Sequence, residues 1–307
     1  MLVSGAEDIV VTGGGGWLGK ATLEMLESAF GPDLASRVHV YGSSGRWLRL
    51  RSGAGLEVQP LEALSRLEVD EHLLVHFAFA TRERVAELGI GSYIAGNQEI
   101  SHIVGSHVRI SHPSGVMAVS SGAVYLGDEL ETNPYGVLKG RDERMFFELA
   151  REARGANAQR LVIPRLFNLA GPFLNKPDHY VLGSIIEDII RGGPIRLSAA
   201  KPVIRSYVHV ADLVELCFAI MVGDGPVPDG PFDTAGERAV EVGELAQIVA
   251  QVLGRPDTLI ERPPVDDTEP DRYVGNGTVM HALAEANGLD LKDLTRQIED
   301  TAHFMGS

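Results

Sequence analysis

The chain carries a single cysteine, Cys217, in 307 residues, so no internal disulfide can form. Cys217 sits in the apolar run Leu213-Val214-Glu215-Leu216-Cys217-Phe218-Ala219 and reads as an inert thiol on a packed helix face. Basic residues are scarce: 27 Lys and Arg stand against 42 Asp and Glu, a formal net charge of −15. That balance excludes the broad cationic face that nucleic acid or an anionic membrane requires. It leaves anionic small molecules open, since they need only a few placed cations. Long hydrophobic runs are also missing, with a mean hydropathy of +0.03. No stretch approaches the roughly 20 apolar residues that span a bilayer. The first residues, Met1 to Asp8, lack a basic region followed by an apolar core, so no secretory leader is expected. Together these absences point to the cytosol. There are no internal repeats and no low-complexity tracts.

Glycine, by contrast, is concentrated where it matters. Thr12-Gly13-Gly14-Gly15-Gly16-Trp17-Leu18-Gly19 follows the apolar run Ile9-Val10-Val11 and precedes a helical pattern through Leu23 and Leu26. The order is strand, glycine turn, helix. The glycines let the backbone approach a pyrophosphate closely, and the helix N-terminus favours its negative charge. The run reads as Gly14-x-Gly16-x-x-Gly19 or as Thr12-Gly13-x-x-Gly16-x-x-Gly19, and Gly16 and Gly19 belong to both. Trp17 is expected to pack beneath the helix.

Strand-like runs at Ile9–Thr12, Val38–Tyr41, Leu73–Phe77, Val116–Ser120 and Leu161–Leu166 alternate with helical patterns at Ala21–Phe30, Ser92–Val108 and Tyr135–Arg154. Such alternation implies an α/β fold, a doubly wound parallel sheet with helices on both faces. After Gly171-Pro172, proline and glycine become frequent. Helices are expected at Leu182–Arg191, at Val242–Leu253 and from Thr278 onward. The expected division is a dinucleotide-binding portion over residues 1–170, with a return segment at about 206–236. Residues 171–205 and 237–307 form a smaller substrate-binding portion.

An NAD site usually places a carboxylate at the end of the second strand, bonded to the ribose 2′-hydroxyl. Here Val38-His39-Val40-Tyr41 runs into Gly42-Ser43-Ser44-Gly45-Arg46 with no carboxylate, and Asp33 lies before the strand. Ser43 and Arg46 suit a 2′-phosphate, so NADP(H) is favoured and NAD(H) remains possible. The alternative for Arg46 is a solvated loop cation.

Tyr135-Gly136-Val137-Leu138-Lys139 opens a helix behind Asn133-Pro134, with tyrosine and lysine four residues apart on one face. An ammonium beside a phenol favours the phenolate, which can exchange a proton with a carbonyl or alcohol while hydride moves to or from a nicotinamide. Upstream, Val119-Ser120-Ser121 ends a strand with two hydroxyls at the sheet edge where doubly wound folds bind ligands. His102, His107 and His112 recur at five-residue intervals, which is not a metal-ligand spacing, and no metal site is expected.

These residues together resemble the extended short-chain dehydrogenase/reductases, in their NAD-dependent epimerase/dehydratase branch, over nearly the whole chain. The glycine run matches that family's cofactor loop, with Gly13, Gly16, Trp17, Leu18 and Gly19 against the cofactor. His76-Phe77-Ala78-Phe79-Ala80 is similar to a family strand end beside the cofactor, and Asn97 falls where the family has a structural Asn. Pro164-Arg165-Leu166-Phe167-Asn168-Leu169-Ala170-Gly171-Pro172 and Arg205-Ser206-Tyr207-Val208-His209-Val210-Ala211-Asp212 resemble two further family motifs. The resemblance implies a Rossmann fold, with Phe77, Ala78, Phe79, Val119, Tyr135, Lys139 and Leu166 lining the cofactor. It implies Tyr135 as acid/base, Lys139 lowering its pKa and holding the nicotinamide ribose, and Ser121 bonding the reacting oxygen. It also implies a nucleotide-sugar substrate touched by Ser121, with Asn168, Arg205 and Arg272 on its diphosphate. Relatives commonly form homodimers through the Tyr-x-x-x-Lys helix, where Met145, Phe146 and Leu149 are candidates, although packing within the chain explains them equally.

Three departures shape the expected activity. Only 13 residues separate Ser121 from Tyr135. Gly122-Ala123 stand where sugar 4,6-dehydratases usually carry Asp-Glu, which disfavours that reaction. Asn276 stands where relatives often have Asp. The reading is a 4-ketoreductase of a 4-keto-6-deoxy sugar. The alternatives are an epimerase that retains NAD and a catalytically silent NADP-binding sensor, the last opposed by the presence of Ser121, Tyr135 and Lys139.

Overall fold

The computed structural model describes residues 8–153, 155, 158–266 and 268–306. Residues 1–7, read above for a leader, and Arg154, the expected end of a helix, lie outside the described residues. β1 (Asp8–Thr12) passes through the glycine turn into α1 (Trp17–Phe30). The short helix α2 (Leu34–Arg37), β2 (Val38–Gly42), the hairpin of β3 (Arg46–Arg49) and β4 (Gly55–Pro60), and β5 (His72–His76) follow. Helices α3 (Arg84–Leu88) and α4 (Ile90–Ser111) lead to β6 (Gly115–Ala118) and β7 (Ser120–Ser121). Then come α5 (Pro134–Glu152), β8 (Arg160–Val162), β9 (Pro164–Leu166) and β10 (Leu169–Ala170).

The main sheet has seven strands in the order β3-β4-β2-β1-β5-β6-β8, parallel except for β3. The chain builds outward from β1 to one side and then, from β5, to the other. The strand order therefore reverses between β1 and β5, and the crevice at their C-terminal ends is where such sheets bind ligands. Thr12 lies in register with both Tyr41 and His76. The doubly wound α/β reading holds.

Two details differ from the sequence reading. The expected strands Val116–Ser120 and Leu161–Leu166 each break in two, because the chain leaves the main sheet partway along. β7 and β9 pair with each other, and β9 also pairs with β14 (Phe232–Asp233) in a separate three-stranded sheet. Pro164, which has no N–H to give to a ladder, opens the second segment. The expected loop at Arg46 is an exposed edge strand.

Beyond residue 170 the chain runs through α6 (Val181–Ile190), β11 (Ile195–Arg196), β12 (Val203–Arg205), β13 (Val208–His209) and α7 (Val210–Val222). It continues after β14 with β15 (Val240–Glu241), α8 (Val242–Val252), β16 (Ile260–Glu261), β17 (Asp271–Tyr273), α9 (Thr278–Ala286) and α10 (Leu294–Met305). Leu182, Ile186, Tyr207, Leu245, Val249 and Ile298 form a core of their own here. α7 instead returns to the main sheet, burying Leu213, Cys217 and Phe218 in its core. Burial raises the Cys217 thiol, which leaves it unreactive. Phe146 and Leu149 share a core with Val104 and Val108, so packing within the chain accounts for both. Among the described residues no helix is long and apolar enough to cross a membrane.

Asn97, fully buried on α4, ties this layer to the end of β5. Its Oδ1 accepts from Ala80 N at 2.8 Å, and its Nδ2 donates to Tyr93 O at 3.2 Å. Asn97→Ala leaves the partly buried Ala80 N–H and Tyr93 O without this partner, and it should lower stability by about 1–3 kcal/mol. A urea midpoint that falls with an unchanged m-value is the expected signature; an unchanged midpoint would refute the anchoring role.

Candidate active site

The cofactor loop is built by close approach. Gly13 adopts φ +76°, and a Cβ there would lie 2.6 Å from Ala78 N, so only glycine lets the turn rest against the end of β5. Thr12 Oγ1 bonds His76 Nδ1 at 2.7 Å and fastens the two strand ends together. Gly16 caps α1 without a side-chain bond, and the first turn, which holds Leu18 and Gly19, has no acidic residue. The N-terminal amides are thus uncapped and electropositive, which fits a pyrophosphate. The Arg46 side chain reaches back over the loop: a Cβ on Gly15 would lie 2.1 Å from Arg46 Nη2. Ser43 is exposed at the end of β2. These residues and distances fit a dinucleotide with its adenosine end toward Arg46.

Trp17 is buried in a cluster with Ala21 of its own helix and with Leu174 and Val210 from beyond Gly171. Its Nε1 donates to Pro172 O at 2.6 Å and its ring meets Tyr180 edge-on at 5.3 Å. The cofactor loop is therefore in direct contact with the chain that follows Gly171.

Ser121, at the end of β7, is buried and its Oγ accepts from Ala123 N at 3.2 Å. Asn133 starts α5 by accepting from Gly136 N at 3.1 Å while donating to Ala123 O at 2.8 Å and Gly127 O at 2.9 Å. A Cβ on Gly136 would stand 2.1 Å from Ala123 O. The helix start thus presses on the turn after Ser121, which brings Tyr135 to Ser121. Burial raises the Tyr135 phenol above its ordinary value, against the opposing effect of Ser121. The phenol is thus raised on balance, whereas the sequence reading expects Lys139 to lower it. The amine instead donates to Val119 O at 2.8 Å and lies 3.8 Å from the Phe79 ring centroid. Phe79 also meets Tyr135 edge-on at 5.6 Å. Burial lowers Lys139 to about 8. Val119 and Leu166 are half-buried against the main core, as is Phe77.

Below Ser121, Ser120 Oγ donates to Glu143, and Arg165 grips the same carboxylate through Nε at 2.8 Å and Nη2 at 2.7 Å. Arg165 Nη1 also donates to Tyr125 Oη, which donates to Asp233.

The small sheet of β15, β12 and β17 brings in a residue that the sequence reading did not single out. Tyr273 Oη lies 3.3 Å from Ser121 Oγ, and its ring packs on Phe167 at 4.8 Å. Asn168 Nδ2 donates to Tyr273 O at 3.1 Å and Ser206 O at 3.2 Å. Arg205 pairs in register with Tyr273, and Ile204 with Arg272. Arg205 and Arg272 therefore stand on opposite faces of adjacent strands and do not converge on one point. Arg205 is held by Asp271 through contacts of 3.2 and 3.3 Å, whereas Arg272 is exposed. The sequence signal for Tyr273 was alternation: it follows Arg272 by one residue and so faces the other way. Among the described residues no group of His, Cys, Asp or Glu could hold a metal ion.

A family model described as "NAD dependent epimerase/dehydratase family" matches residues 9–229. UDP-glucuronic acid decarboxylase 6 of Arabidopsis thaliana is 29% identical over 139 residues, 44% of this chain and 39% of that protein. A dTDP-4-dehydro-6-deoxy-D-allose reductase of Streptomyces sp is 29% identical over 124 residues, 40% of this chain and 36% of that protein. The matched stretch thus spans about two fifths of the length of these curated relatives. UDP-N-acetylglucosamine 4-epimerase from Methanobrevibacter ruminantium M1, solved with UDP-N-acetylmuramic acid, superposes with a TM-score of 0.73 at 18% identity. That superposition covers 97% of this chain and 98% of the other and shows a shared fold.

His76, at the heart of the crevice, is buried and burial lowers it to about 3, so it stays neutral in the folded chain. The unfolded side chain takes a proton below about 6.5. Stability contributed by this neutral histidine should therefore be complete above about 6.5 and decline as pH falls from there toward 3. The check is the pH dependence of the urea midpoint. His76→Asn should reduce the acid slope by up to about one proton, and an identical slope would remove His76 as its source.

Proposed function

The chain belongs to the NAD dependent epimerase/dehydratase family, and on that premise we propose that it is an NADP(H)-dependent oxidoreductase of a nucleotide-linked sugar, a 4-ketoreductase of a 4-keto-6-deoxy sugar. The observation that carries the cofactor choice is Arg46, the first residue of β3, lying over Gly15, together with a second strand, β2, that has no carboxylate. A guanidinium there suits a 2′-phosphate, and a reductase exchanges its cofactor at every turnover. In this reading residues 1–170 and 206–236 hold the cofactor and the remainder shapes the sugar site. Gly13, Gly16, Trp17, Leu18 and Gly19 would meet the pyrophosphate, and Phe77, Ala78, Phe79, Val119 and Leu166 the rest of the dinucleotide. The nicotinamide, when bound, supplies the hydride. Ser121 and Tyr135 bond the carbonyl oxygen, and the raised phenol suits Tyr135 to the acid role, giving its proton to that oxygen as hydride arrives. Lys139 would exchange Val119 O and the Phe79 face for ribose hydroxyls. Asn168 and Arg205 would serve the diphosphate, while Arg272, expected there from the sequence, faces the other side of the sheet and would not; a homodimer through α4 and α5 accompanies the reading. The second reading is a 4-epimerase that keeps NAD, supported by the likeness in fold to the 4-epimerase above.

The cofactor decides between them. Nucleotide released by denaturing the purified chain should be absent or NADP, with NADPH bound at least about tenfold more tightly than NADH. Arg46→Ala should erase that preference. Stoichiometric NAD would overturn the NADP(H) assignment and move the reading to the epimerase.

Tyr135→Phe should lower turnover by about 10²–10⁴-fold while leaving the NADPH dissociation constant within about twofold. Unchanged turnover would refute the acid role.

A further inference from the structure

A cavity of about 460 Å³, apart from the crevice at Ser121 and Tyr135, opens between the start of α7, the length of α9 and the first turn of α10. None of the residues assigned above to cofactor or substrate lines it. Its mouth carries Glu237, Glu285 and Asp290, all exposed, and none of them is in an ion pair among the described residues. The single lysine there, Lys292, is engaged by Asp212 at 2.6 Å and does not neutralise them. Deeper in, the lining turns apolar with Met280, fully buried, and Leu289.

Gln297 gives the cavity a direction. It is 2% exposed and lines the cavity; its Nε2 donates to Lys292 O at 2.8 Å, while its Oε1 has no hydrogen-bond partner. A buried amide oxygen without a donor costs free energy on the order of 1–3 kcal/mol, and a ligand N–H would recover it. The three carboxylates and the Gln297 amide oxygen are therefore acceptors without a donor; the two histidines of the lining are His209, whose Nε2 lies 3.2 Å from Asp300, and the exposed His281. The surface between them suits methylene groups. No cluster here could hold a metal ion, so the complement is an organic cation.

We propose that this cavity is a binding site for a linear alkyl polyamine, its ammonium groups on the carboxylates and Gln297 and its methylenes against Met280 and Leu289. The charges balance without a proton transfer: each ammonium meets an acidic side chain that has no cation of its own.

The test is isothermal titration of the full-length chain with 1,5-diaminopentane and with spermidine at constant ionic strength. 1,5-Pentanediol and magnesium chloride are the controls. One saturable site is expected for the amines and none for the diol. The double variant Glu237→Gln/Glu285→Gln should weaken amine binding at least about tenfold, and Glu129→Gln, on an exposed loop elsewhere, should leave it unchanged. Leu289→Phe, which narrows the cavity, should weaken it as well. Three outcomes would overturn the proposal: no saturable heat at amine concentrations on the order of 10 mM, an equal loss in Glu129→Gln, or the same response to magnesium. The last two would mean general screening of the net charge of −15.

Discussion

The contact between the glycine turn and the backbone at the end of β5 governs the arrangement of everything around the crevice. With Gly13 at φ +76° and the chain of Ala78 within 2.6 Å of where its side chain would be, β1 and β5 cannot separate at their C-terminal ends. The Thr12–His76 bond closes the same seam from within, and His76 can serve there only as a neutral imidazole. Three other contacts take their position from this seam. α1 begins where the turn releases it, Trp17 on its first turn reaches Pro172, and the Arg46 side chain meets Gly15 from the neighbouring hairpin.

A second tight approach sets the chemistry. Asn133 binds both the start of α5 and the turn after Ser121, so the two elements behave as one rigid piece. Its base is the Glu143 carboxylate, held by Ser120 and by both arms of Arg165. Such a pair is poor evidence of stability, because two charges had to be taken from water, yet it restricts the geometry closely. Tyr273 completes the ring from the far side of the molecule. Because it comes from a strand paired with β12, its distance to Ser121 is set by the C-terminal sheet. The site therefore records how the two portions of the chain sit against each other.

How much of this was legible depended on range. Local signals read well: the glycine run, the alternation of strands and helices, the Asn133-Pro134 helix start and the buried Cys217 are all properties of short windows. The hairpin at Arg46–Arg49 did not read, because a four-residue edge strand with a Trp at 74% exposure and only Leu48 partly buried shows no alternation of polar and apolar residues. The break at Val119 was hidden because the run stays strand-like across it, whereas Pro164 was the local sign of the break at Ile163. Arg205 and Arg272 looked like a pair in sequence. Only the register of β12 against β17 reveals opposite faces. Tyr273 was missed for the same reason, since its partner Ser121 lies 152 residues away.

The distribution of carboxylates bears on reaction class. An elimination of water needs a second acid or base beside the hydride step, and the position after Ser121 offers only Gly122 and Ala123, both buried. The nearby carboxylates are engaged, apart from Asp142 Oδ2, which is buried without a hydrogen-bond partner. Glu143 is held by Arg165 and Ser120, Asp142 accepts from Ser101 at 2.6 Å, and Asp233 accepts from Tyr125 and from Asn276 N. Asp128 and Glu129 are exposed on the loop. What remains around Ser121 is two phenols, Tyr135 and Tyr273, both raised by burial and so both proton donors at neutral pH. Two phenols that hold their protons suit the oxygen-protonating role proposed above. They are poorly suited to drawing a proton from carbon, and in the proposed reading this weighs against elimination.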